Sequence, residues 1–221
     1  QGQFYWWLGH IFVLFNGLVY FSSILSFHTN PLFYKRAFAS VFVSYSTVLY
    51  HIISTKNPTF KMLLSNQNMH YLIMAFYWYS STPIAVTLVP FFLSSLVHCI
   101  AYIQSELISR LPDTSLLAKD QLSSYLQQWI QRHYKSVKQW IAYTEVVFIP
   151  AYLIIHVILW RVSILALIVY SYFLQSRYTQ STEIQATVHQ TVDYLDSRLL
   201  NKHQPALITN VYSAIKQLVV L

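Results

Sequence analysis

Glu145 is the one acidic side chain set inside an apolar run, within Tyr143-Thr144-Glu145-Val146-Val147-Phe148. A carboxylate at membrane depth is costly unless it is neutral or paired. Tyr143, Thr144 or a histidine from another segment would serve as its partner. A transporter uses such a group for coupling, and a structural protein uses it to hold one helix to another. Glu145 stands alone, without repeated glycine-lined broken helices, so the anchoring role is preferred. An amide would keep most of the hydrogen bonds, so Glu145→Gln is expected to preserve the fold.

His51, His70, His98 and His156 lie in or near apolar runs. Intramembrane histidines relay protons or bind metal in some proteins, but hydrogen bonding between helices is their commoner use. His98 is therefore placed beside Glu145 as an intramembrane polar anchor. His189 and Asp193 are four apart and share a helix face, which reads as a solvated pair rather than a metal site. Cys99 is the single cysteine, so neither an intrachain disulfide nor a thiolate zinc cluster can form. No glycine follows Gly17, which excludes a glycine-rich phosphate loop or a Gly-x-Ser-x-Gly elbow beyond it. The residues thus point to no catalytic, cofactor-binding or metal site, to no cofactor and to no enzyme.

The elements that carry these side chains follow from composition. Hydrophobic residues make up 55% of the 221 and charged residues 10%. Soluble domains average about 25% charged residues. Charge is too scarce here to cover a water-exposed surface. Aromatics reach 17%, with 18 Tyr and 6 Trp, as suits rings that line membrane interfaces. The expected fold class is all-α, a multi-pass helical membrane protein with helical hairpins and cytosolic amphipathic helices. The net charge of +7 raises nucleic-acid binding, but the Lys and Arg residues flank apolar runs, so no direct nucleic-acid partner is expected.

Residues 4–27 form an uncharged first span, about 36 Å long as a helix. Its length and the lack of a small-residue cleavage site mark it as a retained helix rather than a signal peptide. Gly9 and Gly17 within it could allow close helix packing. His28-Thr29-Asn30-Pro31 is a turn, and residues 37–54 form a second span. Residues 62–105 carry no charge, yet a continuous helix over 69–103 would reach about 52 Å, too long for one crossing. Ser80-Ser81-Thr82-Pro83 divides it into a short leg, 69–81, and a full leg, 83–103, which Pro90 kinks. Residues 1–103 thus hold transmembrane hairpins one and two.

Residues 104–138 form a cytosolic amphipathic loop, with Ala118, Leu122, Tyr125, Leu126, Trp129, Ile130 and His133 on one helix face. That helix either packs on the protein or lies in the membrane interface. A third hairpin occupies 139–176, as a span over 139–160 and a short leg over 162–174. Cytosolic amphipathic helices fill 177–221. In the first, over 183–200, Ile184, Val188, Val192, Leu195 and Leu199 form the stripe. In the second, after Pro205, Leu207, Ile208, Val211, Ile215, Leu218 and Val219 form a membrane-binding face. Its polar face is nearly uncharged, as in helices that sense packing defects on curved membranes. With six alternating segments, eleven of the 14 Lys and Arg residues fall on one side. The positive-inside rule makes that side, and both termini, cytosolic.

Several stretches share a known order and spacing. They are Phe33-Tyr34-Lys35-Arg36-Ala37, His70-Tyr71-Leu72, and Thr82-Pro83 through Leu96-Val97-His98. Glu145 with Ile149-Pro150-Ala151 follows, then Tyr172-Phe173-Leu174 with Arg177-Tyr178. In this series, across residues 33–180, the chain resembles the transmembrane protein 33 family. The resemblance implies a protein of the endoplasmic reticulum and nuclear envelope that helps nuclear pore complexes to assemble or distribute. It implies reticulon-type proteins, nuclear pore components and an importin as partners, beside the lipid bilayer itself. Residue by residue, long-plus-short hairpins and inserted amphipathic helices also favour curved membrane. Two rivals remain: a small transporter or channel using Glu145 and the intramembrane histidines, and a membrane enzyme with a histidine site.

Overall fold

The computed structural model describes residues 2–110 and 116–199. Among them the chain is helical, with α1 at Gly2–Leu25, α2 at Pro31–Lys56, α3 at Phe60–Leu64, α4 at Gln67–Ser80 and α5 at Ala85–Tyr102. Then come α6 at Leu116–Tyr143, α7 at Ile149–Ile158, α8 at Ile164–Gln180 and α9 at Thr182–Leu199. Among the described residues four stretches are long and apolar enough to cross a membrane: Gly2–Leu25, Pro31–Lys56, Ala85–Leu107 and Lys119–Ile158. The chain is a multi-pass helical membrane protein.

Local chemistry sets the breaks. Asn30 caps α2 by accepting a bond from the Leu32 N–H, and Pro31 occupies the first turn, where no N–H is needed. Asn57 ends the same helix in the left-handed conformation, with φ of 41°, which asparagine tolerates better than most residues. Phe27 and Trp160 take the same conformation, both with φ of 57°, at the ends of α1 and α7. They close the helices as Schellman turns, with His28 N–H bonded to Ser23 O and Arg161 N–H to His156 O. Their rings are almost wholly exposed at the same end of the bundle, where the amphipathic ring of Trp160 suits a membrane interface.

The segments alternate in direction. The start of α1, the end of α2, the start of α4, the end of α5 and the end of α8 share one end of the bundle. Lys56, Lys61, Arg110 and Lys138 mark that end. Lys35 and Arg36 near the start of α2, and Arg161 in the turn after α7, lie at the other. The break before Pro83 is present, but the two legs do not form a close pair. The α4 backbone runs against α2 and α8, whereas α5 runs against α1 and α6. Long side chains join the legs, as where Tyr71 meets Phe91 with ring centroids 5.6 Å apart. Two of the three glycines of α1, Gly9 and Gly17, lie at close approaches. A Cβ on Gly9 would collide with Ser44 of α2, and one on Gly17 with the Phe92 ring of α5.

Residue 138 lies within a continuous helix. The amphipathic helix expected within 104–138 and the span expected from 139 are one rod. Lys119–Ile158 holds 40 residues, about 60 Å, against a hydrocarbon core of ~30 Å. No glycine or proline lies between Leu116 and Tyr143, so helix propagation meets no break. At 14 and 17 residues, α4 and α8 reach about 21 and 26 Å, both short of a full core. The helix expected over 183–200 is observed as Thr182–Leu199. The second amphipathic helix, with its face from Leu207 to Val219, lies outside the described residues.

The core is aromatic. Tyr71 touches Tyr45, Phe91 and Phe173 at centroid distances of 5.4, 5.6 and 5.5 Å, tying α4 to α2, α5 and α8. Tyr34 and Thr87 share a buried hydrogen bond of 2.8 Å between α2 and α5.

Candidate functional site

The polar centre of this core is built on a proline. Pro150 has no N–H, and its ring would clash with the carbonyl of Val146 in a regular α-helix. The rod widens into a π turn at Thr144–Phe148 instead, where the Ile149 N–H bonds to the Thr144 carbonyl. The Glu145 carbonyl thereby loses both main-chain donors: Ile149 is engaged one residue earlier, and Pro150 has none. Tyr170 of α8 supplies the bond, its hydroxyl donating to Glu145 O at 2.8 Å. A π turn inside a long helix is a common mark of a functional position.

The Glu145 side chain is 1% exposed. Its Oε1 accepts from the Tyr71 hydroxyl at 2.9 Å and its Oε2 from Arg177 Nε at 3.3 Å. The Arg177 side chain is 7% exposed, and its guanidinium lies 4.9 Å from the centre of the Tyr71 ring. One buried carboxylate thus joins α4, the long rod and α8. A buried pair stabilises only when hydrogen bonds offset the desolvation of both charges, and here Tyr71 completes part of that set.

The expected partners of Glu145 are replaced. Tyr143 donates instead to Gln190 of α9 at 2.8 Å, and Thr144 to the Trp140 carbonyl. No histidine is among the bonds to Glu145. Sequence reasoning had put Arg177 in the polar tail as a cytosolic basic residue, whereas it is the counter-charge of Glu145. The signal for it was present: Tyr170, Phe173 and Arg177 are spaced three and four apart, one face of α8. All three are buried.

His98 is partly buried in a second cluster, apart from Glu145. Its ring lies 4.9 Å from that of His10 and 5.1 Å from that of Trp6. His10, which sequence reasoning passed over, shares a 2.9 Å hydrogen bond with Ser95 and joins α1 to α5. His70 bonds Ser176 at 2.7 Å, and His156 Nδ1 donates to Tyr152 O in its own helix. Among the described residues no group of three or more His, Cys, Asp or Glu side chains is arranged to hold a metal ion.

At the basic end, Lys138 of α6 faces Glu183 of α9, with 3.8 Å between nitrogen and oxygen. Glu183 sits in the first turn of α9. A main-chain N–H at that helix start holds its carboxyl below the usual carboxylate range, aided by the Ser181 hydroxyl and Lys138. Beside this pair a cavity of about 560 Å³ runs inward to Tyr45, Phe91 and Arg177.

The model of the Transmembrane protein 33/Nucleoporin POM33 family matches residues 1–221. The chain belongs to that family. Pore membrane protein of 33 kDa from Saccharomyces cerevisiae is 22% identical to this chain, over 97% of it and 81% of the yeast protein. Tetra-spanning protein 1 from Schizosaccharomyces pombe is 26% identical, again over 97% of this chain and 81% of its own length. Nucleoporin POM33 from Chaetomium thermophilum is 25% identical over 83% of this chain and 72% of its own. No solved structure matches the chain. The resemblance seen in the ordered motifs is thus a membership, and the family gives the buried ion pair a membrane-protein setting.

Proposed function

We propose that this chain is a non-enzymatic membrane-shaping and scaffold protein of the endoplasmic reticulum and nuclear envelope. It contributes to tubule organisation and to nuclear pore complex assembly or distribution. The observation that carries this reading is the closed centre of the bundle. Glu145 is enclosed by Tyr71, Tyr170 and Arg177; the large cavity at the basic end reaches Tyr71 and Arg177 without lining Glu145, and the void that borders Glu145 measures about 10 Å³. A buried carboxylate that accepts from both Tyr71 and Arg177 is suited to holding helices together, which favours the scaffold over the transporter.

Around that closed centre, short α4 and α8 stand beside full-length spans. Such an arrangement displaces one leaflet more than the other and creates hydrophobic mismatch. The basic end carries α9 and the outer part of the rod, both amphipathic, and the positive-inside rule supports a cytosolic position for this end. The names of the relatives, which speak of the pore membrane and a nucleoporin, support the nuclear-envelope location. Reticulon-type proteins, pore components and an importin are the partners this reading carries. Glu145 and His98 act in it as intramembrane anchors, and Leu207, Ile208, Val211, Ile215, Leu218 and Val219 as the membrane-binding face.

The test is the last face. Val211→Asp with Ile215→Asp places two charges on it. The full-length double variant is expected to stay in the reticulum and lose enrichment at curved tubules and pores under the microscope. Unchanged enrichment would remove that helix from the mechanism.

A further inference from the structure

The cavity at the basic end is lined by side chains of seven helices: α1, α2, α4, α5, α6, α8 and α9. Helix α5 ends at the basic end, so its lining residues run inward in the order His98, Ser94, Phe91 and Pro90. Pro90 and Phe91 also border the small void beside Glu145, and they mark the inner end of the cavity. There the aromatic core closes it, with the Phe91 ring 5.6 Å from that of Tyr71 and 5.3 Å from that of Phe38. Polar and apolar side chains alternate along the walls, so no level of the cavity is purely apolar. Polar side chains held between membrane spans face either one another or water. A cavity of about 560 Å³ has room for roughly ten or more waters at ~30 Å³ each.

We propose that this cavity is an aqueous half-channel, filled by water from the basic face to the level of Ser94 and closed at the Phe91 floor. Hydrocarbon would leave the hydroxyl of Ser94 and the imidazole of His98 without solvent, whereas water bonds to both and tolerates the apolar patches between them. The half-channel admits water and small hydrophilic solutes into the bundle from one face only. Beyond the floor lies the fully buried Leu88, which borders neither void. The hydrocarbon barrier is thus shortened on the basic side without a path through the protein. The proposal stands on the lining and the floor, and it does not depend on the membrane-shaping role.

Cysteine accessibility in the full chain tests it. The native thiol, Cys99, is buried and is replaced first, as Cys99→Ser. Single cysteines are then introduced as Ser94→Cys in the inner wall, Val48→Cys on the opposing α2 wall, and Leu88→Cys beyond the floor. The chains are kept in membranes and exposed on both faces to a small charged methanethiosulfonate, so the result does not depend on orientation. This reagent attacks the thiolate, which forms readily in water and is suppressed in apolar surroundings. Labelling is followed by intact mass. Ser94→Cys and Val48→Cys should react on the order of a hundredfold faster than Leu88→Cys, since two pKa units of apolar suppression remove that much thiolate. A Ser94→Cys chain as slow as Leu88→Cys would overturn the half-channel, whether or not Val48→Cys reacts. A Leu88→Cys chain as fast as Ser94→Cys would overturn the closed floor.

Discussion

The Tyr170 hydroxyl donates to the main-chain carbonyl of Glu145 at 2.8 Å, across 25 residues of sequence. The bond exists because Pro150 and the π turn leave that carbonyl without a main-chain donor. Tyr170→Phe would keep the ring packing and orphan the carbonyl. The expected cost is about 1–3 kcal/mol, read as a lower unfolding temperature in detergent. Pro150→Ala restores an N–H and lets the rod close as a regular helix. In the Pro150→Ala background, Tyr170→Phe should therefore cost less. Strictly additive effects would argue that the hydroxyl does not compensate for the proline.

The Arg177 pairing changes what Glu145 substitutions should do. The sequence alone suggested that Glu145→Gln would be silent. With Arg177 buried against it, an amide keeps hydrogen bonds but leaves a guanidinium without its counter-charge. Breaking a buried pair from one side costs about 3–5 kcal/mol. Glu145→Gln should lower abundance and thermal stability, and Glu145→Leu should lower them further. Glu145→Leu combined with Arg177→Met removes both charges, and it should recover much of the loss. A double variant as unstable as the sum of the singles would rule out the pairing as the source of the effect.

The contact between α9 and α6 should depend on pH. The folded-state pKa of Glu183 is depressed, so the unfolded chain takes up the proton first as pH falls. The stabilisation is complete above the ordinary carboxylate pKa of about 4.3 and disappears as pH drops through the lower folded value. Hydrogen exchange across Thr182–Leu199 should speed up below that window, while the spans stay protected. In Glu183→Gln this pH dependence should vanish. Its persistence in the Gln variant would assign the acid sensitivity to another group.

Orientation can be read directly. Glycosylation acceptor sites added before α1 and after α9 should both stay unmodified in microsomes. One added in the turn after α7, beside Trp160 and Arg161, should be modified if that turn reaches the lumen. A modified C-terminal site would place the basic end, with its cavity and α9, on the lumenal face.

Much of the architecture was legible in the residues. The shortage of charge marks the membrane class, because the bilayer accepts few unpaired charges and requires every backbone group to be bonded internally. Asn30-Pro31, Asn57-Pro58 and the Pro83 region interrupt helices for local steric reasons, so they could be placed without a fold. The helix continues through residue 138 because a switch from polar to apolar side chains changes the surroundings of a helix without interrupting its hydrogen bonds. The isolation of Glu145 announced a buried site, but not its partners. Tyr71, Tyr170 and Arg177 lie 74, 25 and 32 residues away. Which of them meets Glu145 depends on α4 packing beside α2 and α8 rather than closely against α5, and on the π turn that rotates the rod after Thr144. Helical periodicity sets the face a side chain occupies. Only the packed arrangement of the helices decides which faces meet, and so turned an arginine at the edge of the polar tail into the counter-charge of the core.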